Sequence, residues 1–242
     1  MSRFDDPELV EREYVALDRL ASRRLDRSAW MRGLDDVFVL LGAIAEARPR
    51  RVLDAGCGSG DWASLLAAAE VVCVDQSDAA VEVARRRGLD ARKARLQELP
   101  FPDGSFDVVM CNYVLYHVRE LDRALSELAR VLRLGGRFVG AYTLPEHLGE
   151  LWAAVRRDPS AGEGADAFDG HNGAEYLAHH FVSVERRDTT GEVSWETRET
   201  LQTYLDGYRE LLGPLEAPAG PYPFRATRRN CVFVAVKAAV ET

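Results

Sequence analysis

The stretch "LDAGCGSGDW", residues 53–62, sets Gly56, Gly58 and Gly60 at alternate positions just after a short apolar run that carries a carboxylate, Asp54. Glycine permits positive φ and lets a ligand lie directly against the backbone. Where a strand turns into a helix, backbone N–H groups converge and can bind polar or anionic parts of a small molecule. The spacing is not a dinucleotide fingerprint, because Asp61 stands where the last glycine would fall, and no GK[ST] follows to complete a P-loop. Pyrophosphate and nucleoside triphosphate are therefore poor fits, and the chemistry of the loop is binding of some other ligand.

Such a loop needs a rigid frame, and the surrounding sequence supplies one. "RVLD", "VVCVD", "FDVVMCN" and "RFVGAY" read as buried strands. Between them "DWASLLAAAE", "SDAAVEVARRRG" and "ELDRALSELARVL" read as helices, the second capped by Ser77 or Asp78 and ended by Gly88, while residues 134–136, "LGG", read as a turn. Apolar strands alternating with amphipathic helices imply a parallel sheet covered on both faces, a Rossmann-like α/β sandwich. Ahead of it, Asp6 and Pro7 open an amphipathic helix carrying Val10, Tyr14, Leu17, Ala21 and Leu25, and a second apolar segment runs from Trp30 to about Ala47. Past Thr143 the rhythm breaks: "EHLGELWAAVRR" is helical, "DPSAGEGADAFDGHNG" is rich in small and acidic residues, and strands at "FVSVERR" and "CVFVAVK" flank a helix from Arg198 to Leu212.

A chain of 242 residues, 47 % hydrophobic and 29 % charged, suits one domain with a substantial core. No apolar run approaches the roughly 20 residues that cross a bilayer, and "MSRFDDPELV" has no apolar leader region, so no membrane association and a cytoplasmic location are expected. A net charge of −8 disfavours nucleic acid as partner. The four cysteines, Cys57, Cys73, Cys111 and Cys231, form no CxxC pair and read as buried reduced thiols, with no metal site expected.

In order and spacing, "VLDAGCGSG", "VVCVDQS", "LPFPDGSFDVVMCNYVLYHV" and "RVLRLGGRFVGAY" resemble the motifs of class I S-adenosylmethionine (SAM)-dependent methyltransferases, of the subgroup that modifies small molecules. The likeness spans residues 50–143 and continues more loosely through "FDGHNGAEYLAHHF" to the last strand. It implies a seven-stranded, mostly parallel sheet sandwiched by helices, with a helical cap over residues 1–47, a cofactor-binding core over 48–144, and a substrate segment with the last strands over 145–242. It implies S-adenosyl-L-methionine as cofactor. Gly56, Gly58 and Gly60 would pass under its amino-acid end, Asp54 would orient the loop or take the ammonium, and Asp75 would accept both ribose hydroxyls. Gln76 would lie beside the adenine, and Asn112 and Tyr113 would face the methionine portion. Relatives commonly carry an acid four residues before the Leu of "LPF", where this chain has Arg95; the Leu96 backbone or the Gln97 side chain takes that adenine contact instead. From the N-terminal segment Arg32 is a candidate for the cofactor carboxylate, and Tyr14 a weaker one.

Methyl transfer from a sulfonium is an in-line displacement that asks mainly for geometry and exclusion of water. A base helps when the acceptor is a hydroxyl, and His117 is the best-placed titratable group by motif position. His147, His171, His179 and His180 fit no metal spacing and read as surface or lid residues. Trp152, Phe168 and Tyr176 could line an acceptor pocket or simply pack helix faces, and residues 158–173 with the N-terminal helices would form a lid. The expected function is methylation of an oxygen or nitrogen, or a carbon, of a small molecule by a monomer or homodimer. An RNA or protein methyltransferase and a non-catalytic SAM-binding protein are the alternatives.

Overall fold

Val52, Leu53, Val72, Cys73, Val108 and Val109 have no exposed surface, so successive residues of three strands are buried on both faces. Only a sheet covered by helices on both sides can accommodate such runs. The computed structural model describes residues 32–33, 35–66, 70–155 and 168–239. Its elements in chain order are β1 (Arg32–Gly33), α1 (Asp36–Glu46), β2 (Arg51–Ala55), β3 (Glu70–Asp75), α2 (Asp78–Arg86), β4 (Asp90–Lys93), β5 (Phe106–Met110), α3 (Leu121–Val131), β6 (Leu132–Thr143), α4 (Gly149–Ala154), α5 (Gly173–Ala178), β7 (Ser183–Trp195), α6 (Arg198–Asp206), α7 (Arg209–Leu212) and β8 (Phe224–Val236).

The strands form one sheet in the order β1-β7-β8-β6-β5-β2-β3-β4. β4, β3, β2, β5 and β6 are parallel to one another. β8 is antiparallel to both β6 and β7, so β7 runs with the parallel set, and the two-residue β1 pairs antiparallel to β7. The seven long strands are the expected ones together with β4, and β1 extends the sheet to eight.

One face is covered by α1, whose Leu40, Ala43 and Ile44 pack on Val52, Val108, Met110, Val139 and Val232. The other is covered by α3 and α5, with Leu125, Leu128 and Leu177 against Leu53, Val72, Val109 and Phe138. Ser77 caps α2 by accepting the Ala80 N–H at 3.3 Å, and α2 buries Val81 and Ala84 beside Cys73. A third core, around Trp152, Trp195, Leu201, Tyr204 and Leu205, joins α4 and α6 to the ends of β7 and β8.

Four local expectations need correction. The helix expected at "DWASLLAAAE" is a single 3-10 turn, Ala63–Leu65, among the described residues; the Ser64 N–H and hydroxyl both bond to the Gly60 carbonyl, at 3.0 and 2.8 Å. Residues 134–136 are not a turn but an irregularity inside β6: Phe106 pairs with Leu132 and Val108 with Arg137, and Gly135 at φ +70° absorbs the extra length. Among the described residues the helix at "EHLGELWAAVRR" covers Gly149–Ala154, starting after Leu148 at φ 56°, where Glu150 is tied to β8 through the Thr227 N–H (3.0 Å) and hydroxyl (2.6 Å). The helix from Arg198 to Leu212 divides at Gly207, the residue with least helical preference in that stretch, into α6 and α7.

Candidate functional site

The strand order reverses between β2 and β5, since β3 and β4 extend the sheet on one side and β5 and β6 on the other. A crevice opens at the carboxyl ends of strands at such a switch point, and ligands bind there. The glycine loop leaves β2 at this point. Gly56, Gly58 and Gly60 adopt φ of +77°, +53° and +80°, which residues with a side chain reach only at a cost. The Gly56 and Cys57 N–H groups bond to the Val74 carbonyl at 2.8 and 3.0 Å, so the loop is strapped to the end of β3. A Cβ on Gly56 would lie 2.6 Å from Val114 Cγ2, so the chain after β5 closes directly over the loop.

Asp75 joins the parts of this crevice. One carboxylate oxygen accepts the Gly58 N–H at 2.9 Å and the other accepts the Ser77 N–H at 2.9 Å. Burial pushes the carboxyl above the usual carboxylate range, against the opposing pull of the backbone N–H groups of Ser77, Gly58 and Gln76. Beyond the Gly58 and Ser77 bonds the carboxylate keeps acceptor capacity, so a hydroxyl donor can be accepted without breaking the loop contacts.

Asp54 is buried at the carboxyl end of β2, on the sheet face that carries Val52. Asn112, buried just beyond β5, accepts the Ala141 N–H at 2.9 Å through Oδ1, and its Nδ2 has no hydrogen-bond partner among the described residues. Tyr113 follows with φ 57°, its ring 6.3 Å from that of Trp62 at the end of the glycine loop. His117 ends a 3-10 turn, Leu115–His117, half-buried with its ring 4.3 Å from Tyr116. Gln76 is exposed beside Asp75, and Leu96 is buried. The Gln97 amide donates to the Arg119 carbonyl at 2.8 Å, and Arg95 is exposed. The structure thus gathers the glycine loop, Asp54, Asp75, Asn112 and Tyr113 at one crevice. It does not bring Arg32 there: the Arg32 backbone pairs with Glu192 at the far sheet edge, with β7, β8 and β6 between it and β5. Tyr14 and most of the expected lid, residues 158–167 and 1–31, lie outside the described residues.

A cluster that the sequence did not announce borders this crevice. Asp36, in the first turn of α1, has no exposed surface. It accepts from the Tyr113 hydroxyl, from Arg228 Nη2 at 2.9 Å and from Asn230 Nδ2 at 3.2 Å. Burial, followed by the Arg228 charge, pushes the imidazole of the adjoining His147 down to about 4, so it is neutral at neutral pH. An acid one residue after the N-cap Asp35 looks like ordinary helix-start chemistry in sequence, and its burial depends on β8 arriving opposite.

Of the other histidines, His171 Nε2 lies 3.1 Å from Glu146 and His180 Nε2 lies 2.9 Å from Asp122, while His179 is exposed. Among the described residues no group of three or more His, Cys, Asp or Glu side chains could hold a metal ion, and no helix is long and apolar enough to cross a membrane. All four cysteines are buried. Trp152 packs edge-on against Tyr208 at 5.5 Å in the third core, while Phe168 and Tyr176 pack together at 6.1 Å against the main one.

A doubly wound sheet with a glycine loop at its switch point and an acid at the tip of the next strand defines a Rossmann-like nucleotide-cofactor fold. Residues 53–140, which contain that loop, Asp75 and the tip of β5, match the family model described as a methyltransferase domain. The chain is 38 % identical over 136 residues to demethylmenaquinone methyltransferase of Thermus thermophilus, an alignment covering 52 % of this chain and 59 % of that protein. It is 34 % identical over 146 residues to malonyl-[acyl-carrier protein] O-methyltransferase of Legionella pneumophila, covering 55 % and 51 %. The chain thus spans between half and three-fifths of the length of these curated relatives. A crystal structure of a SAM-dependent methyltransferase from Thermotoga maritima superposes with a TM-score of 0.60 at 20 % identity, covering 95 % of this chain and 99 % of that one. Family and fold together imply S-adenosylmethionine as the cofactor.

Proposed function

We propose that this chain transfers a methyl group from S-adenosylmethionine to an oxygen or nitrogen atom, or a carbon, of a small molecule. The observation that carries the reading is the Asp75 carboxylate, buried at the tip of β3 beside the switch point and bonded to both Gly58 and Ser77. The residues present fit the cofactor. Asp75 has acceptor capacity left for ribose hydroxyls, the glycine loop offers bare backbone, and Asn112 Nδ2 is a buried donor without a partner among the described residues. In this reading Asp54 orients the loop, Gln76, Leu96 and Gln97 flank the adenine, and Asn112 and Tyr113 face the methionine portion.

When bound, S-adenosylmethionine supplies an activated methyl group, so the chain's own contribution is to hold the acceptor in line and keep water out. For a hydroxyl acceptor His117 is the base, its imidazole nitrogen taking the proton as the new bond forms. Relatives named for demethylmenaquinone and for malonyl-[acyl-carrier protein] favour a small acceptor group. The net charge of −8 favours it over a nucleic-acid backbone.

The test is to incubate the protein with methyl-labelled S-adenosylmethionine and, separately, fractionated metabolites, total RNA and total protein. Label should enter a metabolite fraction. Label in RNA or protein instead overturns the acceptor class, and cofactor binding with no transfer to any pool overturns catalysis.

A further inference from the structure

Burying a carboxylate as completely as Asp36 is costly unless donors replace its water, and packed apolar side chains would fill the same space with no such demand. Stability alone therefore gives no reason for an acid here. What the acid does is hold Tyr113. The Tyr113 backbone stands at φ 57°, a conformation that a residue with a side chain keeps only where its surroundings enforce it. Its hydroxyl is donated to Asp36 on α1, its ring faces Trp62 at the end of the glycine loop, and the next residue, Val114, closes over Gly56. Arg228 and Asn230, both on β8, hold Asp36 in turn. Three separate elements, α1, the corner after β5, and β8, thus meet at one carboxylate beside the crevice.

We propose that Asp36 is a positioning residue for the methyl-transfer site: by accepting the Tyr113 hydroxyl it clamps the 112–114 corner against the glycine loop and holds that loop in its cofactor-binding form. The inference rests on the methyltransferase reading. It concerns how the loop is held and not which atoms touch the cofactor, since Asp36 is tied to the loop through Tyr113.

The test is calorimetric titration with S-adenosylhomocysteine, the demethylated product, on the full chain and on Tyr113→Phe, Asp36→Asn, Asp36→Ala and the Asp36→Ala/Tyr113→Phe double variant, with melting temperature measured on each. Tyr113→Phe removes one hydroxyl and should fold normally yet bind about tenfold more weakly. Asp36→Ala should lose at least as much, and the double variant should be no weaker than Asp36→Ala, the non-additivity expected of residues acting as one unit. Asp36→Asn keeps an oxygen for the Tyr113 hydroxyl and should recover most of the affinity, although it loses the charge that Arg228 faces. Full affinity in Tyr113→Phe, or losses that multiply in the double variant, overturns the positioning role while leaving the methyltransferase reading intact. No affinity in the unaltered protein overturns that reading and this inference with it.

Discussion

Asp75 and Gly58 are joined by a hydrogen bond of 2.9 Å from the Gly58 N–H to a carboxylate that is itself buried, so the tip of β3 and the loop after β2 behave as one piece. A ligand that engages the carboxylate is thereby placed against the bare backbone of the loop. The same bond means that Asp75 cannot be altered without disturbing the glycine loop.

Asp75→Ala should therefore lower S-adenosylhomocysteine affinity by at least about 100-fold, since charge-assisted acceptors for two hydroxyls disappear together with the support of Gly58 and Ser77. The pH dependence has a definite sign. Ribose hydroxyls are donors and need the ionised carboxylate, so affinity should fall as pH falls, beginning above the ordinary carboxylate value of 3.8 because burial raises this group. For the unliganded protein the same shift acts oppositely: the folded state holds the proton to higher pH than the unfolded one. Its stabilising contribution is present below 3.8 and lost as pH rises through the folded value. Calorimetry and thermal melting across an acid pH series should show the two trends crossing, and Asp75→Asn should flatten both.

Gly56→Ala adds a Cβ 2.6 Å from Val114 Cγ2 at a backbone φ of +77°. Left-handed strain costs about 1 kcal/mol and forced overpacking about 1–3 kcal/mol. The melting temperature should fall by roughly 5–12 °C for a domain of this size. Pairing the change with Val114→Ala should recover the overpacking part and leave the conformational part, which differential scanning calorimetry on the single and double variants can separate.

His117→Ala distinguishes a base from a structural residue. Loss of a general base lowers turnover by roughly 10²–10⁴-fold, leaves S-adenosylhomocysteine affinity nearly unchanged, and removes the acid limb of the pH–rate profile. A residue that only packs against Tyr116 would lower melting temperature and affinity together and leave the profile's shape intact. Turnover against pH, melting temperature and product affinity on this one variant decide between them.

Arg130 holds the segment between Gln97 and β5 in place. Its guanidinium donates to the Phe101 and Leu99 carbonyls at 2.8 and 3.1 Å and to Glu127 and Asp103 at 2.6 and 2.8 Å. Arg130→Met strands two carbonyls and should cost about 1.5–3 kcal/mol, read as a lower denaturation midpoint in urea with an unchanged slope. Arg130→Lys should recover less than half of that loss, because one ammonium cannot span partners that a planar fork reaches at once.

Much of the frame is legible in the amino-acid sequence. The buried strand runs, the Ser77 cap, the positive-φ glycines and the acid at the tip of β3 are local signals, set by backbone preference and side-chain periodicity within a few residues, and they appear where the sequence places them. The departures have the opposite character. The "LGG" of residues 134–136 carries a turn's composition, yet pairing with β5 and β8 draws it into a strand as an irregularity. The Gln97 amide N–H has its partner in the Arg119 carbonyl 22 residues away, a pairing that no local pattern marks. Arg32 lies in the segment that the resemblance lays over the cofactor, yet its backbone is drawn into a pair with β7 at the edge of the sheet. The Asp36 cluster makes the division clearest. Its partners lie 77, 192 and 194 residues along the chain, and nothing within a helical turn of Asp36 marks it as buried. Sequence alone determined which residues could bind a nucleotide-like ligand and on which strand ends they sit, because those properties are local. Which charges are buried, and against what, only the tertiary structure decided, because the solvation of a carboxylate is set by whatever the sheet brings across from it.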